Sequence, residues 1–170
     1  MAKIGILADT HDNLEMIERA IIQLEKEGVS VVVHAGDIIA PFSLKRMLNR
    51  GFKLIGVLGN NDGEVLLLTR LAEKGGAVIV HQPLITVVEG LRTLILHGAG
   101  SISDTRALVD SLAKSGTFDL IVYGHTHEVD VRKLEETLIV NPGEACGYLT
   151  GSPTLAILDV ESKEVEVEEL

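Results

Sequence analysis

Lys3-Ile4-Gly5-Ile6-Leu7-Ala8, followed at once by Asp9-Thr10-His11-Asp12, is the stretch on which the fold turns. A short, mostly apolar run of this kind reads as a strand buried on both faces, over residues 3–8. The polar block begins at its carboxyl end. Asp12 then reads as a helix N-cap, with Glu15 three positions on as in a capping box. Leu14, Ile17, Ile21 and Leu24 follow at helical spacing, and Gly28 suits the stop.

The same unit recurs outward from there. Residues 29–34 and 52–58 read as further buried strands. Pro41 opens a short helix carrying Leu44, Met47 and Leu48, and residues 64–74 form another, ended by Gly75 and Gly76. This βαβαβα order predicts a parallel sheet with right-handed crossovers. The second half is richer in strands: 77–80, 84–89, 91–96, 118–123, 129–134, 137–140, 154–159 and 164–168, with a turn at Glu89-Gly90. One helix is expected over 103–115, with Ala107, Leu108 and Leu112 turned inward. About ten strands are many for one open sheet in a small domain, so two packed sheets with helices outside fit better. Residues 1–170 read as a single domain.

Composition narrows the function. Hydrophobic residues make up 46% of the chain and aromatics 3%, so the core is aliphatic and disorder is excluded. The formal net charge of −10 argues against a protein that docks along nucleic-acid backbones. Cys146 is the only cysteine, which rules out an intrachain disulfide and a cysteine zinc cluster. No run reaches the roughly 20 apolar residues of a membrane span. A cytoplasmic setting without membrane partners is expected.

Five polar blocks each sit just past the carboxyl end of an apolar strand: Asp9-Thr10-His11, Gly36-Asp37, Gly59-Asn60-Asn61-Asp62, His97-Gly98 and Gly124-His125-Thr126-His127. That edge is where sites assemble in α/β sheets. If the blocks are extended, residues two apart face the same way, which brings Asp9 with His11, and His125 with His127, to one centre. Two Asp, one Asn and four His form a nitrogen and oxygen donor set without thiolate. It suits Mn, Fe, Co, Ni or Zn better than Ca or Mg. Seven ligands exceed one tetrahedral ion and suit two ions sharing a carboxylate, for which Asp37, alone on its strand end, is the natural bridge.

The series D-x-H, GD, GNND, H, GHTH resembles the calcineurin-like metallophosphoesterases, and length and strand order look like their small archaeal and bacterial phosphodiesterase branch. The resemblance runs from Lys3 to about Asp159. It implies a four-layer αββα sandwich of two mixed β-sheets flanked by helices. It implies one metal on Asp9, His11, Asp37 and His127, and a second on Asp37, Asn60, His97 and His125. The implied activity is hydrolysis of small phosphodiesters by in-line attack of a metal-bridging hydroxide, with Mn the first cofactor to test, then Ni or Co. Many larger relatives carry His after the metal-binding Asn. Here that position is Asn61, which cannot act as a general acid near pH 7 but can donate to a phosphate oxygen. Asn61 and Asp62 are the candidate catalytic residues, although Asp62, which usually partners that His, is left without its usual role and is read alternatively as ordering the loop. Good leaving groups, and diesters over monoesters, are expected.

Other readings stay beside this one. A scaffold or slow phosphate-binding protein of the same fold, like the retromer scaffold subunit with its degraded site, is one rival and a phosphomonoesterase another; all seven ligand positions being competent argues against the scaffold. A homodimer is compatible with exposed aliphatic surface and edge strands. His34 is expected to be a buried packing residue, His81 a loop surface residue, Cys146 a small wall residue, and Asn141-Pro142-Gly143 a turn near the site. Arg106 and Asp104 are expected in surface ion pairing. Residues 161–170 hold five Glu and one Lys, a solvated strand face. Against Asp9 and Asp37 alone, two dications leave the ligand cluster at about +2, an anion trap on an acidic protein.

Overall fold

A computed structural model describes residues 2–170. The first half runs β1 (Lys3–Leu7), α1 (Leu14–Lys26), β2 (Val31–His34), α2 (Pro41–Met47), β3 (Lys53–Leu58), α3 (Val65–Lys74) and β4 (Val78–His81). The second half continues with β5 (Leu84–Val88), β6 (Leu91–Ile95), α4 (Ile102–Ala113), β7 (Leu120–Val122), β8 (Val129–Leu134), β9 (Thr137–Pro142), β10 (Thr154–Asp159) and β11 (Val165–Glu169). Two sheets form, in the orders β11-β10-β1-β2-β3-β4 and β5-β6-β7-β9-β8. In the first, β1 to β4 are parallel while β10 and β11 are antiparallel additions. In the second, β6, β7 and β9 are parallel and β5 and β8 antiparallel edges.

Three apolar clusters make the layers. Leu7, Ile21, Leu24, Val32, Leu44 and Leu68 pack α1, α2 and α3 onto one face of the first sheet. Ile4, Ile6, Val33, Val57, Val122 and Val140 fill the space between sheets. Leu94, Val109, Ala113, Ile121 and Tyr123 seat α4 on the outer face of the second sheet. The order is helices, sheet, sheet, helix, the expected αββα sandwich. β1 and β2 are buried on both faces because each is covered by helices on one side and a sheet on the other. The β5–β6 hairpin closes on Glu89 (φ 47°) and Gly90 (φ 85°), both left-handed, as a two-residue turn requires.

Several local expectations are corrected. Asn13, not Asp12, caps α1, its side chain accepting from Met16 N. Asp12 Oδ1 instead accepts from Ala40 N and Ser43 Oγ, tying the start of α1 to α2. On α4 the buried face is Thr105, Val109 and Ala113, while Leu108 is exposed. Thr105 Oγ1 accepts from Ala99 N and donates to Ala99 O, and this pins a polar residue inward and rotates the stripe. His81 is exposed, but it ends β4 rather than lying in a loop.

Candidate dinuclear metal site

Because β1, β2, β3, β6, β7 and β9 share their direction within each sheet, their carboxyl ends bring the five blocks to one edge of the sandwich. The backbone there is not extended. Asp9 (φ 53°), His11 (φ 39°), Asp37 (φ 59°), His125 (φ 69°) and His127 (φ 58°) are all left-handed. Such conformations cost about 1–3 kcal/mol each and persist only where neighbours over-determine them. Here Asp9 N donates to Gly36 O at 3.0 Å, His11 N to Asp37 O at 3.1 Å and His125 N to Asp9 Oδ2 at 3.1 Å. The alternation argument therefore fails, and its second pair diverges: His125 joins Asn60 and His97, while His127 joins Asp9 and His11.

Asp37 stands between the two groups. Its Oδ2 lies 3.4 Å from His11 Nε2 and 3.3 Å from His97 Nε2. On one side, Asp9 Oδ1 is 3.7 Å from His11 Nε2 and 3.4 Å from His127 Nε2. On the other, Asn60 Oδ1 is 2.9 Å from His97 Nε2 and 3.0 Å from His125 Nδ1. Tight packing allows this. Gly59 approaches so closely that an added Cβ would fall on Asp37 Oδ1, and one on Gly36 (φ 96°) would meet His97 Nδ1 at 2.8 Å.

The imidazole tautomers follow from the outer contacts. His97 Nδ1 donates to Ala35 O at 2.8 Å, His125 Nε2 to Gly100 O at 2.8 Å, and His127 Nδ1 to Glu144 Oε2 at 2.6 Å. Their other ring nitrogens then aim lone pairs inward, at carboxylate and amide oxygens that are also acceptors. Acceptors facing acceptors are unfavourable unless a cation lies among them. Asp9 Oδ1 and His11 Nε2 are buried without any hydrogen-bond partner, which is costly for a polar atom and natural for a metal ligand. The donor set thus fits two divalent ions, one on each side of Asp37.

The electrostatics agree. Burial works to raise the Asp37 carboxyl, but contact with His97 and two hydrogen bonds from Asn61 hold it well below the usual carboxylate range. Contact with Asp9 and the Asp37 charge raise His11 against burial. Burial lowers His97, and contact with Asp37 and the nearby Asp9 charge more than reverse it. A field that favours a proton at these nitrogens favours a metal cation there too. His34 behaves otherwise: burial pushes it down to about 4, and its Nδ1 accepts from Gly36 N, so it is a neutral packing residue holding Thr10.

Residues 2–163 match the sequence profile of the calcineurin-like phosphoesterase superfamily domain. The chain belongs to that superfamily. Within it, the phosphodiesterase MJ0936 of Methanocaldococcus jannaschii is 39% identical over 95% of both chains. The structure of an archaeal phosphodiesterase superposes with a TM-score of 0.90 at 38% identity, covering 99% of each chain. Vps29 of Chaetomium thermophilum shares the fold alone, with a TM-score of 0.68 at 16% identity over 100% of this chain and 94% of its own. Among the described residues, no helix is long and apolar enough to cross a membrane.

Two residues of this calcineurin-like site went unread in the sequence. Glu144, fully buried, gives Oε2 to His127 Nδ1 and Cys146 Sγ, and Oε1 to Leu149 N, Thr150 N and Thr150 Oγ1. Burial opposes its ionisation, but His127 and Thr150 pull the carboxyl down to about 2. A lone Glu after a turn reads as surface; only its contact 17 positions back reveals it. Gln82 is the other. Its Oε1 accepts from His97 N at 2.7 Å and Gly98 N at 3.1 Å, and its Nε2 donates to Gly98 O. Asn141 likewise donates to Gly124 O and Thr126 Oγ1, steadying the loop that carries His125 and His127. Cys146 is buried, and burial raises its thiol to about 12, so it is a wall residue and no thiolate. Arg106 pairs with Glu128 at 2.6 Å on the surface, and Asp104 serves the α4 capping box.

Glu144→Gln tests the orienting contact. An amide nitrogen placed against His127 Nδ1 forces the other tautomer and points an N–H at Asp9. Metal affinity is expected to fall about 10- to 100-fold, with melting temperature nearly unchanged. Isothermal titration of Mn into the variant checks this, and wild-type affinity would show that Glu144 serves packing only.

Proposed function

We propose that this chain, as one domain over residues 1–170, hydrolyses small phosphodiesters at a dinuclear metal centre. Asp9, His11, Asp37 and His127 would hold one ion, and Asp37, Asn60, His97 and His125 the other. The observation that carries this reading is Asp37, whose Oδ2 sits within 3.4 Å of histidine lone pairs on both sides. Similarity to phosphodiesterases at 38–39% identity over nearly the whole chain supports the diester assignment.

When bound, two divalent ions supply activation of water and neutralisation of phosphoryl charge. The chain's own groups hold and aim. Glu144, Ala35 O and Gly100 O set the histidine tautomers, and Gln82 fixes the backbone of His97. Asp62 gives both oxygens to the backbone N–H groups of Asp37, Ile39 and Gly59, which makes it a positioning residue in this reading. Exposed Asn61 donates its backbone and side-chain N–H to Asp37 and keeps a second amide hydrogen for a phosphoryl oxygen. No histidine follows Asn60 to protonate a leaving group, which favours esters with good leaving groups. Mn is the metal we assign first, with Ni, Co, Fe or Zn compatible with nitrogen and oxygen donors. We take the setting as cytoplasmic, on a composition with one cysteine.

Metal analysis after loading with Mn, Ni or Co, followed by assay of bis(p-nitrophenyl) phosphate and p-nitrophenyl phosphate, tests the proposal. Two ions per chain, chelator-sensitive turnover and a higher kcat/KM on the diester are expected. A chain that retains no metal, or turns over equally well in chelator, would refute it.

A further inference from the structure

The chain has five aromatic side chains: Phe42, Phe52, Phe118, Tyr123 and Tyr148. Three serve the interior, since Tyr123 and Phe118 are buried and Phe52 packs against the cluster under the helices. Phe42 and Tyr148 do not: they are 53% and 63% exposed, and Leu149 beside Tyr148 is 76% exposed. Folding gains nothing from large apolar groups left in water.

The two exposed aromatics flank the same loop, the one carrying Asp9 and His11. Asn13 Nδ2, at the end of that loop, donates to Cys146 O, and Cys146 N donates to Asp9 O. Asp12, in the same loop, accepts from Ala40 N and Ser43 Oγ, the residues bracketing Phe42. The Tyr148 segment is also tightly held. Leu149 N and Thr150 N donate to Glu144 Oε1, and Gly151 N donates to Gly147 O. A segment bonded to the carboxylate that orients His127 therefore presents its two apolar side chains to solvent. Aromatic groups held beside a polar site are available to stack on a ligand bound there.

We propose that Tyr148, with Leu149, and Phe42 are specificity-determining contacts for apolar or aromatic alcohol groups of the phosphodiester. This rests on the phosphodiesterase reading above and goes beyond it in naming the substrate class. An aromatic face suits a flat, uncharged substituent, which it meets by stacking.

The test compares two diesters with the same leaving group and different remaining groups: bis(p-nitrophenyl) phosphate and methyl p-nitrophenyl phosphate. Both are assayed with wild type, Tyr148→Ala and Phe42→Ala, all Mn-loaded. Expected is a roughly five- to tenfold rise in KM for the aryl diester in each variant, with kcat held and the methyl ester unaffected. Both positions are exposed, so the variants are expected to fold, and circular dichroism melts verify it. If wild type hydrolyses both esters and the aryl-to-methyl ratio survives both substitutions, the aromatic contact is overturned alone. If wild type hydrolyses neither, the phosphodiesterase reading falls and takes this inference with it.

Discussion

Asp37→Ala is expected to lower kcat/KM on bis(p-nitrophenyl) phosphate by about 10³-fold or more while the protein stays folded. One carboxylate oxygen of Asp37 faces imidazole nitrogens in both halves of the site: Oδ2 lies 3.4 Å from His11 Nε2 and 3.3 Å from His97 Nε2. Without it, each proposed ion would lose a ligand and the two groups of lone pairs lose the negative charge between them, so metal content is expected to fall together with activity. The fold has other supports. Asp37 N is held by Asp62, and the two Asn61 donors that lose their partner are exposed enough to reach water. The cost comes mostly from placing Ala at φ 59°, about 1–2 kcal/mol, hence a few degrees in Tm. Asp37→Asn suits that backbone better and separates lost charge from strain. Its activity should fall nearly as far while its Tm stays closer to wild type. Steady-state kinetics, metal analysis and thermal melts read all three, and activity within tenfold of wild type would remove Asp37 from the centre.

Asp62→Ala is expected to cost the fold more than Asp37→Ala does. The carboxylate is 6% exposed and accepts three backbone N–H groups, from Asp37 at 3.0 Å, Ile39 at 2.6 Å and Gly59 at 2.7 Å. A methyl group satisfies none. An unsatisfied buried donor costs about 1–3 kcal/mol, so with some relaxation the total is about 3 kcal/mol, or roughly 6–12 °C in Tm. The anchored residues include the left-handed Asp37 and Ile39 (φ 83°), the latter an unusual conformation for a β-branched side chain. Activity measured well below Tm should fall at least tenfold as Asp37 loses its backbone anchor. Denaturation melts with a kinetic assay at 25 °C check both effects, and an unchanged Tm would show that water replaces Asp62.

The layers were legible because apolar runs interrupted by polar blocks are a one-dimensional image of strands ending at a wet edge. Ala8 to Asp9, Ala35 to Asp37 and Tyr123 to His125 all show that change. Local capping was less legible. Asp12 and Asn13 are both competent caps, and only the arrival of Ala40 and Ser43 decides that Asp12 turns away from α1. The inward face of α4 was misread because Thr105 enters the core on hydrogen bonds to Ala99 that no periodicity displays. Glu144 and Gln82 escaped notice because a polar residue's partner lies 15 or more positions away.

By itself the sequence determined the strand and helix order, the aliphatic core and the seven side chains that meet at one edge, since these depend on residue type and neighbours in the chain. The tertiary structure decided the distances at which those seven face Asp37, which nitrogen His97, His125 and His127 turn inward, and that the buried Glu144 carboxylate meets His127. Those outcomes depend on left-handed backbone and on hydrogen bonds between segments brought together only when the two sheets pack.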